Sequence, residues 1–97
     1  MRLAVTKSGH YHADVYCANA REARKILREK SVSVLAIDFH LAGRDTGNEI
    51  LKWAHQHDVL PNYVVIVAKD RIHRIILASS LENIGFRSAD KTTYFRH

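Results

Sequence analysis

Acid–base and phosphate chemistry near neutral pH needs imidazoles, carboxylates and cations gathered in one place. The first pair that meets this need is Asp38 and His40, two residues apart at the end of the apolar run Leu35-Ala36-Ile37. A charge at such a place is costly unless it is paired or reaches solvent. If the run is a strand, residues two apart point to the same side. The histidine would shuttle protons, while the carboxylate would orient it or bind a metal. The plainer alternative is that Asp38 ends a strand and caps a turn. Seven histidines occur in all. His10 and His12 share a side if their segment is extended. With His40 they would make a three-histidine site, or a pair of acid/base histidines of the type that cleave cyclic phosphodiesters. Their plainer reading is a polar surface loop. His55 and His57 fall about 200° apart on a helix and cannot share a ligand. His73 and His97 show no partner in the sequence.

Positive charge is unevenly spread. Arg21, Arg24, Lys25 and Arg28 fall within about a third of a helix's circumference, opposite Ala20, Ala23 and Leu27. They form a stripe about 10 Å long. Such a stripe binds phosphates with strong salt dependence, or it is a solvated face that keeps the domain soluble. Lys69, Arg71 and Arg74 form a second group, suited to a phosphate-bearing ligand with the help of a helix N-terminus. The tail Lys91-Thr92-Thr93-Tyr94-Phe95-Arg96-His97 mixes aromatics with charge. It stacks on bases, or packs back on the sheet or a second subunit, and packing is the simpler reading. Cys17 is expected to be a buried small hydrophobe.

These groups need a scaffold. Ninety-seven residues make one domain, 1–97, and are too few for two cores of ordinary size. Hydrophobic residues at 46% and charged residues at 26% exclude a disordered or collagen-like chain. No apolar run approaches a membrane span, and the opening Met1 to Lys7 is too quickly polar for a signal peptide. A single cysteine excludes an internal disulfide. The expectation is a small cytoplasmic protein, with a net charge of +5 that favours acidic partners. Strands are expected at Arg2–Val5, Ala13–Cys17, Val32–Phe39 and Tyr63–Val67, with a weak fifth near Phe86–Ala89. The third and fourth are too continuously apolar for a sheet with one wet face, which marks central strands covered on both faces. Helices are expected from Ala20, with Asn19 as N-cap, from the capping-box sequence Thr46-Gly47-Asn48-Glu49, and after Asp70. The third carries Ile72, Ile75, Ile76, Leu77 and Leu81 on a wide apolar arc and would end at Gly85. Strand–helix alternation implies an α/β fold. It would be a small three-layer sandwich with a central parallel sheet of four to five strands and three helices. Ligands then bind at the carboxyl ends of the strands, at Thr6-Lys7-Ser8, Asp38-Phe39-His40 and Val67-Ala68-Lys69-Asp70.

The stretch Leu35-Ala36-Ile37-Asp38-Phe39-His40-Leu41-Ala42-Gly43-Arg44-Asp45-Thr46-Gly47-Asn48-Glu49-Ile50-Leu51-Lys52-Trp53 resembles the signature of the cyclic-phosphate processing receiver domains. These are divergent relatives of response-regulator receivers. Their pattern is an apolar strand, an Asp, a His, a Leu-Gly pair, a Thr-Gly and then a helix with a Trp. The resemblance implies a receiver-like, flavodoxin-like fold with Asp38 at the phospho-acceptor position. It also implies that Asp38 and His40 act on cyclic phosphates at RNA ends, in RNA processing. Two departures stand beside it. The acidic pair that helps receivers hold magnesium is replaced by Thr6-Lys7-Ser8, and the Ser or Thr ending their fourth strand by Val67-Ala68. One remaining carboxylate is a poor magnesium site, so no cofactor and no metal ligand are assigned. The function expected on this basis is a degenerate receiver-like binding module. It would dock RNA, or a protein with an acidic surface, through the basic helix. The alternative is an enzyme that processes cyclic phosphate ends of RNA through Asp38 and His40, with His10 and His12 as further candidates. The wider family also implies a homodimer through the third helix and fifth strand.

Overall fold

The computed structural model describes residues 1–7 and 11–96. Eight elements follow in order: β1 (Arg2–Val5), β2 (Val15–Cys17), α1 (Ala20–Glu29), β3 (Val34–Ile37), α2 (Gly47–Gln56), β4 (Tyr63–Ile66), α3 (Arg71–Asn83) and β5 (Thr93–Phe95). Each helix begins where a side chain can accept an orphan backbone N–H. Asn19 accepts from Glu22 at 2.8 Å, Thr46 from Glu49 at 3.4 Å, and Asp70 from Ile72 at 2.8 Å and His73 at 3.2 Å. These are the starts that the sequence marks.

The strands form one sheet in the order β2-β1-β3-β4-β5. The pairings β1–β2, β1–β3 and β3–β4 are parallel, and β4–β5 is antiparallel. The expected fifth strand near Phe86–Ala89 is therefore displaced. The tail supplies it instead, at Thr93–Phe95, and Arg87 only bridges to Phe95 at the outer edge. Asp90 explains the reversal. Its carboxylate accepts from the N–H groups of Thr92 and Thr93, and Lys91 takes a left-handed φ of 59°. That local turn points Thr93–Phe95 back along β4.

Register decides the layers. Leu3, Leu35, Val64 and Tyr94 lie in one row across four strands, with Val5, Ile37 and Ile66 in the next row on the same face. These side chains share one buried core with Ala20, Ala23 and Leu27 of α1, Ile50, Leu51 and Ala54 of α2, and Leu77 and Leu81 of α3. All three helices thus cover one face of the sheet. The row Tyr16, Ala4, Ala36, Val65 lies on the other face and outside that core. Among the described residues the sandwich has two layers rather than the expected three. The cause is topological: right-handed crossovers that step steadily from β2 towards β4 stay on one side. In α3 only Leu77 and Leu81 are fully buried; Ile72 and Ile75, on the same wide apolar arc, are 67% and 57% exposed. No helix among the described residues is long and apolar enough to cross a membrane.

Candidate functional site

The carboxyl ends of β1, β3 and β4 open together at one rim. There, Lys7, Asp38, His40, Val67, Lys69, Asp70 and His73 line a cleft of about 410 Å³. Three parallel strands ending side by side bring residues 31 positions apart to one place, which is where open α/β sheets bind ligands.

Asp38 closes β3 with its backbone tied in, its N–H donating to the Val5 carbonyl at 3.0 Å. Its carboxylate is held twice. Phe39 N–H donates to Oδ1 at 2.7 Å and the Thr6 hydroxyl donates to Oδ2 at 3.2 Å. His40 is exposed and bridges antiparallel to Thr46, so the segment between them is a pinned loop. The Phe39 N–H and carbonyl are both used, the carbonyl accepting from Gly47 N–H at 2.9 Å.

His73 is the residue that the sequence left without a partner, and the structure corrects this. It occupies the first turn of α3. Its ring lies 4.4 Å from that of His40, edge to face, and stacks on Phe39 at 4.2 Å with the planes 6° apart. Phe39 and His40 meet at 5.6 Å. Two imidazoles therefore meet at the wall of the cleft, braced by one phenyl ring. The readable signal was the Asp70 cap, which starts α3 at the end of β4 and turns its first residues toward the strand ends. Asp70 itself is held below the usual carboxylate range, first by the His73 backbone N–H, against some desolvation, and then by Ile72 N–H and the charges of His73 and His40.

Two expected ligand cations have other work. Arg74 is half-buried, and its guanidinium donates to the carbonyls of Ala68 at 2.9 Å and Lys91 at 3.2 Å and to the Thr92 hydroxyl at 2.8 Å. It clamps α3 to the ends of β4 and β5. Arg24 pairs with Asp45 at 3.1 Å and is withdrawn from the free basic stripe. Arg21, Lys25 and Arg28 remain exposed, as do Lys69 and Arg71. Lys69 lines the cleft; Arg71 does not. His12 is exposed and lies outside the cleft lining, and His10 lies outside the described residues. The three-histidine grouping of His10, His12 and His40 includes His10 and so lies outside the described residues; among those described, the ring that meets His40 is that of His73.

Cys17 is buried at the end of β2, and burial, with Glu22 nearby, raises its thiol to about 11. It stays protonated, and a protonated thiol is a poor nucleophile. Among the described residues no group of three or more His, Cys, Asp or Glu side chains is placed to hold a metal ion. Comparison with protein-family models, with curated proteins and with solved structures finds no match to this chain.

Proposed function

We propose that the cleft receives the 3′ end of an RNA strand and opens a 2′,3′-cyclic phosphate there, as a receiver-related enzyme. The observation that carries this is the approach of the His40 and His73 rings to 4.4 Å, on the wall of a cleft that also presents Lys7 and Lys69. In the reaction, a water oxygen bonds to phosphorus and one ring P–O bond breaks. A neutral imidazole takes the proton from the water, and its protonated neighbour gives one to the departing ribose oxygen. The products are a phosphomonoester and a free hydroxyl. The two rings end with their protonation exchanged and reset through solvent. The ammonium groups of Lys7 and Lys69 offset charge on the non-bridging oxygens. Asp38 is a positioning residue, because both its oxygens already accept hydrogen bonds that fix the start of the segment bearing His40.

The receiver-like kinship belongs to the same proposal. The strand order β2-β1-β3-β4-β5 supports it, since flavodoxin-like folds share that order. The antiparallel β5 and the placement of all three helices on one face depart from it. A second reading, a degenerate module that binds RNA without chemistry, is favoured by the exposed Lys7, which stands where the receiver pattern has an acid.

The test is a 2′,3′-cyclic-phosphate dinucleotide incubated with the wild type and with the His40→Ala, His73→Ala and Asp38→Asn variants. Either histidine substitution is expected to lower turnover about 10²- to 10⁴-fold, and Asp38→Asn by less. The wild-type rate should fall on both sides of a pH optimum, because one ring acts neutral and the other charged. A wild type that binds RNA but releases no phosphomonoester decides for the module.

A further inference from the structure

The cleft holds one nucleotide end, and the next question is where the rest of a strand lies. We infer that a single RNA strand with its 3′ end in the cleft runs back over the loop Ala42–Asp45 and along the exposed side of α1, where Arg44, Arg21, Lys25 and Arg28 take its phosphates. This rests on the reading of the cleft given above.

Three observations connect the two places. On α1, Asn19, Arg21, Glu22, Lys25 and Arg28 line a groove of about 500 Å³. Beside it, a concavity of about 250 Å³ is walled by Asn19 and Arg21 on the helix side and by Ala42 and Arg44 on the loop side. Asn19 and Arg21 border both, so the two hollows are neighbours on the surface. The loop side in turn begins two residues after His40, in the cleft.

The junction is built rather than incidental. Ala42 N–H donates to the Ala18 carbonyl at 2.7 Å, Asn19 and Ala42 form a parallel bridge, and Arg24 pairs with Asp45. These ties fix the start of α1 against the loop that leaves His40. They also remove one cation and one anion from the path. Four exposed cations then remain on it, Arg21, Lys25, Arg28 and Arg44, against the single acid Glu22. A polyanion of regular charge fits such a path, and its salt dependence reports how many phosphates are neutralised. The cyclic phosphate closes through a ribose 2′ oxygen, so the strand is RNA.

The experiment compares two ligands with the same 3′-terminal cyclic phosphate, a dinucleotide and an octanucleotide. Both are titrated against the wild type, an Arg21→Ala/Lys25→Ala/Arg28→Ala variant and Arg44→Glu. Alanine is the best helix former, so α1 keeps its structure in the triple variant, and the loop variant tests the path independently. In the wild type the octanucleotide should bind about tenfold tighter than the dinucleotide or better. Its log Kd should depend more steeply on log salt by about 3, the effect of four phosphates on a single strand. The triple variant should bring the affinity ratio close to one, and Arg44→Glu should lower it. A wild-type ratio near one overturns the inference, as does a ratio that survives the triple substitution. So does poly-glutamate competing as well as the octanucleotide at equal charge, which would point to an acidic protein partner. Dinucleotide turnover in the same samples decides the cleft reading by itself.

Discussion

His73 and Arg74 are adjacent, and their fates show what a residue type alone conveys. The sequence offered Arg74 as a phosphate ligand because it is a cation near a strand end. Its surroundings are carbonyls and a hydroxyl, with which its planar fork is satisfied. Replacing Arg74 with Met should therefore cost about 2–3 kcal/mol of stability, the range for hydrogen bonds to a charged group. Arg74→Lys should restore only part, since an ammonium cannot reproduce the fork. Denaturant midpoints at constant slope measure this, and an unshifted midpoint for Arg74→Met would remove the clamp role. Asp38 and His40 were legible because they interrupt an apolar run within a few residues. The role of His73 was not legible, because its partner lies 33 positions away in sequence and only the docking of α3 brings the rings together.

At the scale of elements, the start of α2 sets the position of the site. Gly47 is buried beneath the end of β3 and donates its N–H to the Phe39 carbonyl. A Cβ on this residue would run into the Asp38 carbonyl and crowd the Ile37 side chain. Gly47→Ala is expected to cost about 3 kcal/mol and to weaken dinucleotide binding, because the displaced carbonyl belongs to the Asp38–Phe39–His40 segment. Thr46→Ala removes only the cap and should cost about 1 kcal/mol with binding retained. Thermal unfolding and a binding titration on both variants separate the two effects; equal losses in stability and binding would count against the close-approach argument. Helix starts were readable here because caps are local chemistry, and Asn19, Thr46 and Asp70 each accept the expected N–H. The fifth strand was not, because Thr93–Phe95 is three residues long and its pairing to β4 is remote; the one local clue is the turn at Asp90.

Across the whole molecule, a sheet with helices on one face has two unequal sides. Tyr94 lies in the helix-covered row and is 1% exposed, whereas Tyr63 on the opposite side is 52% exposed. Tyr94→Ala should cost about 3–5 kcal/mol and Tyr63→Thr within about 0.5 kcal/mol; similar costs would mean that the second face is covered in solution. Local hydrogen bonds at two exposed carboxylates and burial at one thiol set the response to pH. Asp70 and Asp90 are held below the usual carboxylate value, foremost by the backbone N–H groups of His73 and Thr93 respectively. Their contribution is present above the unfolded value and lost as pH falls through the lower folded one. Cys17 moves the opposite way, from 9.0 to about 11, chiefly because the thiol is desolvated at the end of β2. The unfolded chain loses that proton first, so the contribution of Cys17 is complete below pH 9 and disappears as pH rises towards 11. The diagnostic quantity is the difference between the two proteins. Stability measured from about pH 7 to about pH 11 should fall less steeply in Cys17→Ala than in the wild type. Parallel curves would mean that the thiolate is as well solvated in the fold as outside it, and that β2 does not close over the core at its carboxyl end.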